Sequence, residues 1–317
     1  VYMPSTTPGQ KVAKTRGFGG DAVEVRLTGD TFDECLAAAL AHVAEVGAAF
    51  VPPFDAPDTI IGQATVTAEI VDSMGAPDVL VLPVGGGGLS AGATAYLEAI
   101  GAGTEVIYVE PLEAASLAAA LEAGAPVEVP GISNFVDGAA VATLGAHTFA
   151  ALKGVARDAV HLVPEDRLCG TILELLNGEG MVLEPAGALS IDVLGDVAER
   201  IRGKRVVCVA SGGNFDFERL PEVKERALRY AGLKKYYVLR MPQRPGALKD
   251  FLLMLGPQDD IFRFEYLKKS ARNFGSVLIG IDSDSPESFA ALEAKMLGAG
   301  ITHRDITDSS DLVDLIV

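Results

Sequence analysis

The chain has 317 residues, 49% hydrophobic and 22% charged, enough for two domains with a filled core and no need of disulfides. Its formal net charge of −17 argues against nucleic acid and anionic membrane surfaces as partners, and no continuous apolar stretch is long enough to span a bilayer. Cys35, Cys169 and Cys208, like His42, His147, His161 and His303, are scattered without ligand spacing, which argues against zinc and fits a reducing, cytoplasmic location; the first residues show no signal-peptide pattern.

In chain order, residues 22–27 read as a strand, and residues 31–46 as an alanine-rich helix with Thr31 or Asp30 near its start. Residues 64–73 look helical. Residues 79–84 form an apolar run of the kind buried inside a parallel sheet, followed by Gly85, Gly86, Gly87 and Gly88 and a helix over 89–100. A strand at 105–109, a helix at 112–122 and a strand at 205–210 follow, the last ending in Ser211-Gly212-Gly213-Asn214. This alternation predicts an α/β fold with a mostly parallel sheet covered on both faces. Ligands of such sheets lie beyond the carboxyl ends of the strands, where Gly85 and Ser211 both fall.

The pattern changes after about residue 234. Strand text at 236–240 is followed by a turn at Pro242 to Leu248 and a helix through Leu255. Strands at 261–268 and 276–282, a helix over 286–299 and a short strand-and-turn tail over 302–317 complete the series. The β-α-β-β-α-β rhythm predicts a small ferredoxin-like α+β domain after a linker at 230–235. This domain holds no cluster that looks catalytic, which suggests regulation or assembly.

Glycines between a strand and a helix let several backbone N–H groups approach one bound anion, and the helix N-terminus adds about half a positive charge there. The run lacks both the lysine-serine ending of an ATP loop and the spacing of a dinucleotide fingerprint. A purely structural turn is the rival reading. Ser211 can offer a hydroxyl to a ring nitrogen, and Glu110 ends its own strand at the same sheet edge. A phosphate cradle and a ring-nitrogen partner together suit pyridoxal phosphate.

Six segments then carry a family resemblance: Phe54-Asp55 with Ile61 to Thr65, Val84 to Leu89, Val109-Glu110-Pro111, Val136 to Val141, Leu183 to Ala188, and Ser211 to Asn214. In this order and spacing the chain resembles the fold-type-II pyridoxal-phosphate enzymes, tryptophan synthase β-like in fold, and within them the biosynthetic threonine dehydratases. The tail, with Arg244-Pro245-Gly246-Ala247-Leu248 at its first turn, resembles their ACT-like regulatory module. The resemblance divides the chain into the remainder of a small subdomain (1–50), a large cofactor-binding domain (51–234) and the regulatory domain (235–317).

The resemblance implies that Gly85, Gly86, Gly87, Gly88 and Leu89 hold the cofactor phosphate, that Ser211 bonds the pyridine nitrogen, and that Glu184 lies near the ring. Asp137 and Gly138 would line the substrate side. Glu110, Ala114 and Ser116 match where relatives place a cation, and an oxygen-only set suits potassium or magnesium. Arg244 and Gly246 would meet an amino acid effector. Each has a structural alternative: a turn cap for Ser211, a strand-end salt bridge for Glu110, a turn residue for Asp137, helix packing for Glu184. The implied reaction is dehydration and deamination of L-threonine to 2-oxobutanoate and ammonia, feedback-regulated by isoleucine, in a homotetramer. A serine dehydratase or racemase is the sibling alternative.

The chain departs from the family at one place. The family's Schiff-base lysine stands in a Ser-Phe-Lys context, with a Ser-Gly-Asn-His loop after it, and neither occurs here. Lys11 and Lys14 lie in a proline-glycine turn that matches text downstream of that lysine, and read as structural surface lysines. The expectation is that an N-terminal segment is absent, that the chain has no catalytic lysine of its own and that it is inactive as it stands. A non-catalytic amino-acid-sensing fragment is the second alternative.

Overall fold

Val79–Pro83 (β3) is buried at every residue, as expected for a strand with both faces covered, and it lies inside the first unit's four-stranded sheet. The computed structural model describes residues 1–267 and 274–309. The chain divides into two units, Val1–Glu218 and Arg219–Val317.

In the first unit, β1 (Tyr2–Met3) precedes α1 (Gly9–Gly19), and β2 (Arg26–Leu27) pairs with β1 in parallel. The expected strand at 22–27 is thus two residues long, and the expected turn around Lys11 and Lys14 is a helix entered through Pro8. In α2 (Phe32–Val46) Thr31 caps the start, its hydroxyl accepting from the Glu34 amide at 3.2 Å, while Glu34 accepts from the Asp30 amide at 2.7 Å. The α3 helix (Pro57–Met74) begins earlier than expected because Pro57 fits a helix's first position.

Strand β3 leads through the glycines into α4 (Gly88–Ala99), then β4 (Glu105–Pro111) and α5 (Ser116–Ala123). The single helix expected over 112–122 is split into a 3-10 turn, Leu112–Ala114, and α5. The cause is the Glu110 side chain, which caps α5 from the end of β4. Beyond lie α6 (Ala146–Leu152), β5 (Val160–Val163), α7 (Glu165–Glu174), α8 (Pro185–Asp192), α9 (Ala198–Ile201) and β6 (Val206–Cys208). The sheet runs β5-β4-β3-β6, every pairing parallel. The carboxyl ends of β3, β4 and β6 therefore share one edge. Leu80, Leu82, Ala93 and Leu97 pack on one side of this sheet, and Val84, Tyr108, Leu117 and Leu144 in a second cluster.

The second unit opens with α10 (Leu220–Tyr230), followed by β7 (Lys234–Pro242), α11 (Ala247–Leu252), β8 (Asp260–Leu267), β9 (Phe274–Asp282), α12 (Pro286–Gly298) and β10 (Thr302–Asp305). Its sheet is antiparallel in the order β10-β7-β9-β8, the ferredoxin-like order. Tyr237, Leu239, Val277 and Ile279 meet Phe251, Phe289 and Met296 of the two helices in one core. The unit boundary lies N-terminal to the expected 230–235 linker, because Glu225 of α10 binds Lys234 and Tyr236 of the second unit's first strand. The predicted strand end at Lys268 and the tail 310–317 lie outside the described residues.

Candidate active site

The four glycines have separate steric reasons to be glycine. A Cβ at Gly85 would stand 2.8 Å from the Ala139 Cα; one at Gly86 would enter the ring of Phe54; one at Gly88 would lie 3.2 Å from the Phe54 Cβ. Gly87 has φ +84°, in the left-handed region, and a Cβ there would stand 2.9 Å from the Leu144 Cδ1. The loop is tied down at both ends: the Val84 amide donates to the Val109 carbonyl at 2.8 Å, and the Ser90 hydroxyl to the Pro83 carbonyl at 3.2 Å. The five successive amides between them, Gly85 to Leu89, find no acceptor among the described residues, although Gly87 and Gly88 are buried. Buried amides need partners, and a phosphate at the start of α4 supplies them. The loop fits the phosphate of pyridoxal phosphate.

From this loop a line of contacts leads to Ser211. Gly85 abuts Ala139 and the Gly138 carbonyl, and a Cβ at Gly138 would stand 2.8 Å from that of Ala186 and 3.6 Å from Glu184 Oε1. Glu184 precedes α8, its amide donates to the Gly212 carbonyl at 3.1 Å, and its carboxylate fills the space a Cβ at Gly212 would need. The fold thus gathers Gly85, Asp137-Gly138, Glu184 and Ser211-Gly212, which are far apart in sequence. Ser211 is exposed, and its hydroxyl has no hydrogen-bond partner among the described residues. Burial raises the Glu184 carboxyl above its ordinary range, the Lys11 and Lys14 charges oppose this, and Asp137 adds to it.

Glu110 is fully buried, and its two oxygens accept the amides of Leu117 (2.7 Å) and Ala118 (2.9 Å) at the start of α5. Desolvation pushes its carboxyl up to about 7, against the pull of those amides. Ser116 donates to the Gly85 carbonyl at 3.4 Å, and Ala114 is buried at the end of the 3-10 turn. Glu110 therefore makes a helix cap, not the strand-end salt bridge given as the alternative. Each Glu110 oxygen accepts one helix amide and the Ser116 hydroxyl donates to the Gly85 carbonyl, so each of these oxygens keeps a lone pair. Oxygen donors of this kind suit a hard cation such as potassium or magnesium rather than zinc.

Two features lay beyond the reach of the sequence. Lys11 pairs with Asp137, and the Lys14 ammonium donates to Asn214 Oδ1 at 2.7 Å, so both lysines of α1 reach the site. Phe54 covers Gly86 while Asp55 binds the start of α6. The Phe54-Asp55 pair was visible as a motif, but only folding shows what it touches. Arg244 and Gly246 belong to the second unit. There Gly246, at φ +82°, leads into α11, and Arg244 donates to Asp250 at 2.6 Å. Both line a cavity of about 430 Å³ with Met241, Leu252, Phe264 and Tyr266.

The family model described as pyridoxal-phosphate dependent enzyme matches residues 1–212, and that described as the C-terminal regulatory domain of threonine dehydratase matches residues 225–316. The chain is 43% identical over 319 residues to the biosynthetic L-threonine dehydratase IlvA of Bacillus subtilis (strain 168), covering 100% of this chain and 75% of that protein. The Staphylococcus aureus (strain NCTC 8325 / PS 47) enzyme of the same name is 42% identical, over 100% of this chain and 76% of that protein. Among solved structures, the processed form of threonine deaminase isoform 2 from Solanum lycopersicum superposes with a TM-score of 0.65 at 37% identity, over 71% of this chain and 65% of that one. Maize serine racemase, at 23% identity and a TM-score of 0.62 over 72% of this chain and 69% of that one, shares the fold. The chain spans about three quarters of the length of the curated relatives, 75% and 76% for the two above. With a parallel sheet that ends in a glycine loop and an attached ferredoxin-like unit, the chain belongs to the pyridoxal-phosphate-dependent enzymes, in the branch of the biosynthetic threonine dehydratases with a C-terminal regulatory domain.

Proposed function

We propose that the protein to which this chain belongs converts L-threonine to 2-oxobutanoate and ammonia by β-elimination, the first step of isoleucine biosynthesis, as a homotetramer in the cytoplasm. The observation that carries this reading is the row of unpartnered amides from Gly85 to Leu89, connected through Gly138 and Glu184 to the free hydroxyl of Ser211. Pyridoxal phosphate, when bound, supplies an electron sink for the substrate's α-carbon. The amides of Gly85 to Leu89 hold its phosphate and neutralise part of its charge. Ser211 would offer the ring nitrogen a neutral hydroxyl partner in place of a carboxylate. Asp137 and Gly138 line the substrate side, with Lys11 holding the Asp137 carboxylate in place. Among the described residues no helix is long and apolar enough to cross a membrane.

In the second unit, the cavity beside Arg244 and Gly246 suits an apolar amino acid: Met241, Leu252 and Phe264 offer an apolar wall, and Arg244 a cation for the carboxylate. Isoleucine is the effector we assign to it. Feedback then requires the effector to favour one quaternary state, with coupling of about 1–3 kcal/mol.

The test is turnover of threonine and of serine by the full-length protein, with and without isoleucine. Serine turnover well above threonine turnover would move the assignment to the sibling enzymes. An amino-acid-sensing role without catalysis, resting on the cavity of the second unit, is the second reading. Isoleucine binding without threonine turnover by the full-length protein would favour it.

A further inference from the structure

Phe54 and Asp55, adjacent in sequence and outside the residues assigned above, hold the glycine loop from two sides. The Asp55 carboxylate accepts three backbone amides at the start of α6: Ala146 at 3.0 Å, His147 at 2.8 Å and Thr148 at 3.1 Å. It also fills the space next to Gly145, where a Cβ would strike it. One residue earlier, the Phe54 ring lies where a side chain at Gly86 would go, and the Phe54 backbone closes on Gly88, whose Cβ would meet its carbonyl at 3.3 Å. Opposite, Gly87 faces Leu144 and Thr148, which flank the same start of α6. The loop is therefore bounded by Phe54 and by residues 144–148, and Asp55 ties these two walls together. The strap joins segments 91 to 93 residues apart.

We propose that Asp55 is a positioning residue: by fastening Phe54 to the start of α6, it fixes the glycine loop with its amides turned toward the bound phosphate. The inference rests on the phosphate-binding reading of that loop. A residue that merely capped α6 would affect stability and leave anion affinity alone. A strap predicts instead that anion affinity falls when either of its two links is cut, even the one that leaves the α6 cap untouched.

The experiment measures equilibrium binding of inorganic phosphate and of pyridoxal phosphate, by calorimetry, to the chain and to Asp55→Ala, Asp55→Asn and Phe54→Ala, with thermal melts alongside. Asn retains an acceptor oxygen for the His147 and Thr148 amides. The expected result is phosphate affinity about tenfold weaker in Asp55→Ala, within about threefold of the parent in Asp55→Asn, and about tenfold weaker in Phe54→Ala. Unchanged phosphate affinity in Asp55→Ala despite a lower melting temperature would overturn the proposal and leave a simple cap. If Asp55→Ala fails to fold, Phe54→Ala decides: weaker binding supports the strap, and parental affinity overturns it. Failure of the parent chain to bind either probe would defeat the phosphate reading itself, before any variant is compared, and the strap with it.

Discussion

The Glu184 carboxylate lies flush against the Cα of Gly212, in the space where any side chain at 212 would stand. This contact joins the start of α8 to the end of β6 and sets the backbone that presents Ser211. Gly187 presses on the Gly212 backbone from the same helix, its Cβ position 2.8 Å from the Gly212 nitrogen, so residue 212 has little room to shift.

Gly212→Ala should therefore displace Glu184 or Ser211. Overpacking of this kind costs about 1–3 kcal/mol. Pyridoxal phosphate affinity should fall with it, as read by cofactor titration beside a urea melt. Unchanged affinity would show that Ser211 is not positioned through this contact.

Glu110 should make stability depend on pH. Its folded carboxyl titrates near 7, above the ordinary value of 4.5, because burial disfavours the charged form. The folded state thus binds the proton more tightly than the unfolded one. Its contribution is complete below about 4.5 and is lost as pH rises through about 7, on the order of 3 kcal/mol at the upper bound. Urea midpoints compared at pH 5 and pH 8 should differ less in Glu110→Gln than in the parent. An equal difference in both proteins would remove Glu110 as the source.

Gly87→Ala should be damaging twice over. The residue sits at φ +84°, where an L side chain is strained, and its Cβ would crowd Leu144. Strain of this kind costs on the order of 1–3 kcal/mol. A drop in melting temperature together with weaker phosphate binding is expected, and a parental melt would show the loop to be more adaptable than its contacts suggest.

In the second unit, Lys234 and Glu225 form a buried pair at 2.5 Å, with the Tyr236 hydroxyl donating to Glu225 at 2.8 Å and the Lys234 ammonium 3.6 Å from the Phe262 ring centre. Lys234 is 8% exposed and Glu225 9%. Removing one charge strands the other: Lys234→Met should cost about 3–5 kcal/mol, and adding Glu225→Leu should recover much of it. A double-mutant cycle by chemical denaturation checks this, with additive losses as the contrary outcome.

Much of the architecture could be read before folding because its causes are local. An unbroken apolar run at 79–83 has few alternatives to a buried parallel strand, and glycines that follow it mark a close approach at the sheet edge. Element ends were less legible. The split of the 112–122 helix depends on the Glu110 side chain folding back on Leu117 and Ala118. The two-residue β2 depends on pairing with β1. Lys11 and Lys14 read as surface lysines in a turn because nothing near them in sequence marks Asp137 and Asn214 as their partners, 126 and 200 residues away.

Composition and the strand-helix rhythm were enough to read a parallel α/β fold followed by a small α+β domain, since backbone propensity and burial pattern act over a few residues, whereas the six motifs pointed to the family and its cofactor by resemblance. Chain folding alone settled which wall each glycine faces, that the Glu110 oxygens go to helix amides, and that Asp55 reaches α6. Such contacts arise from close packing between segments distant in sequence, and no local propensity encodes which neighbour a side chain will meet.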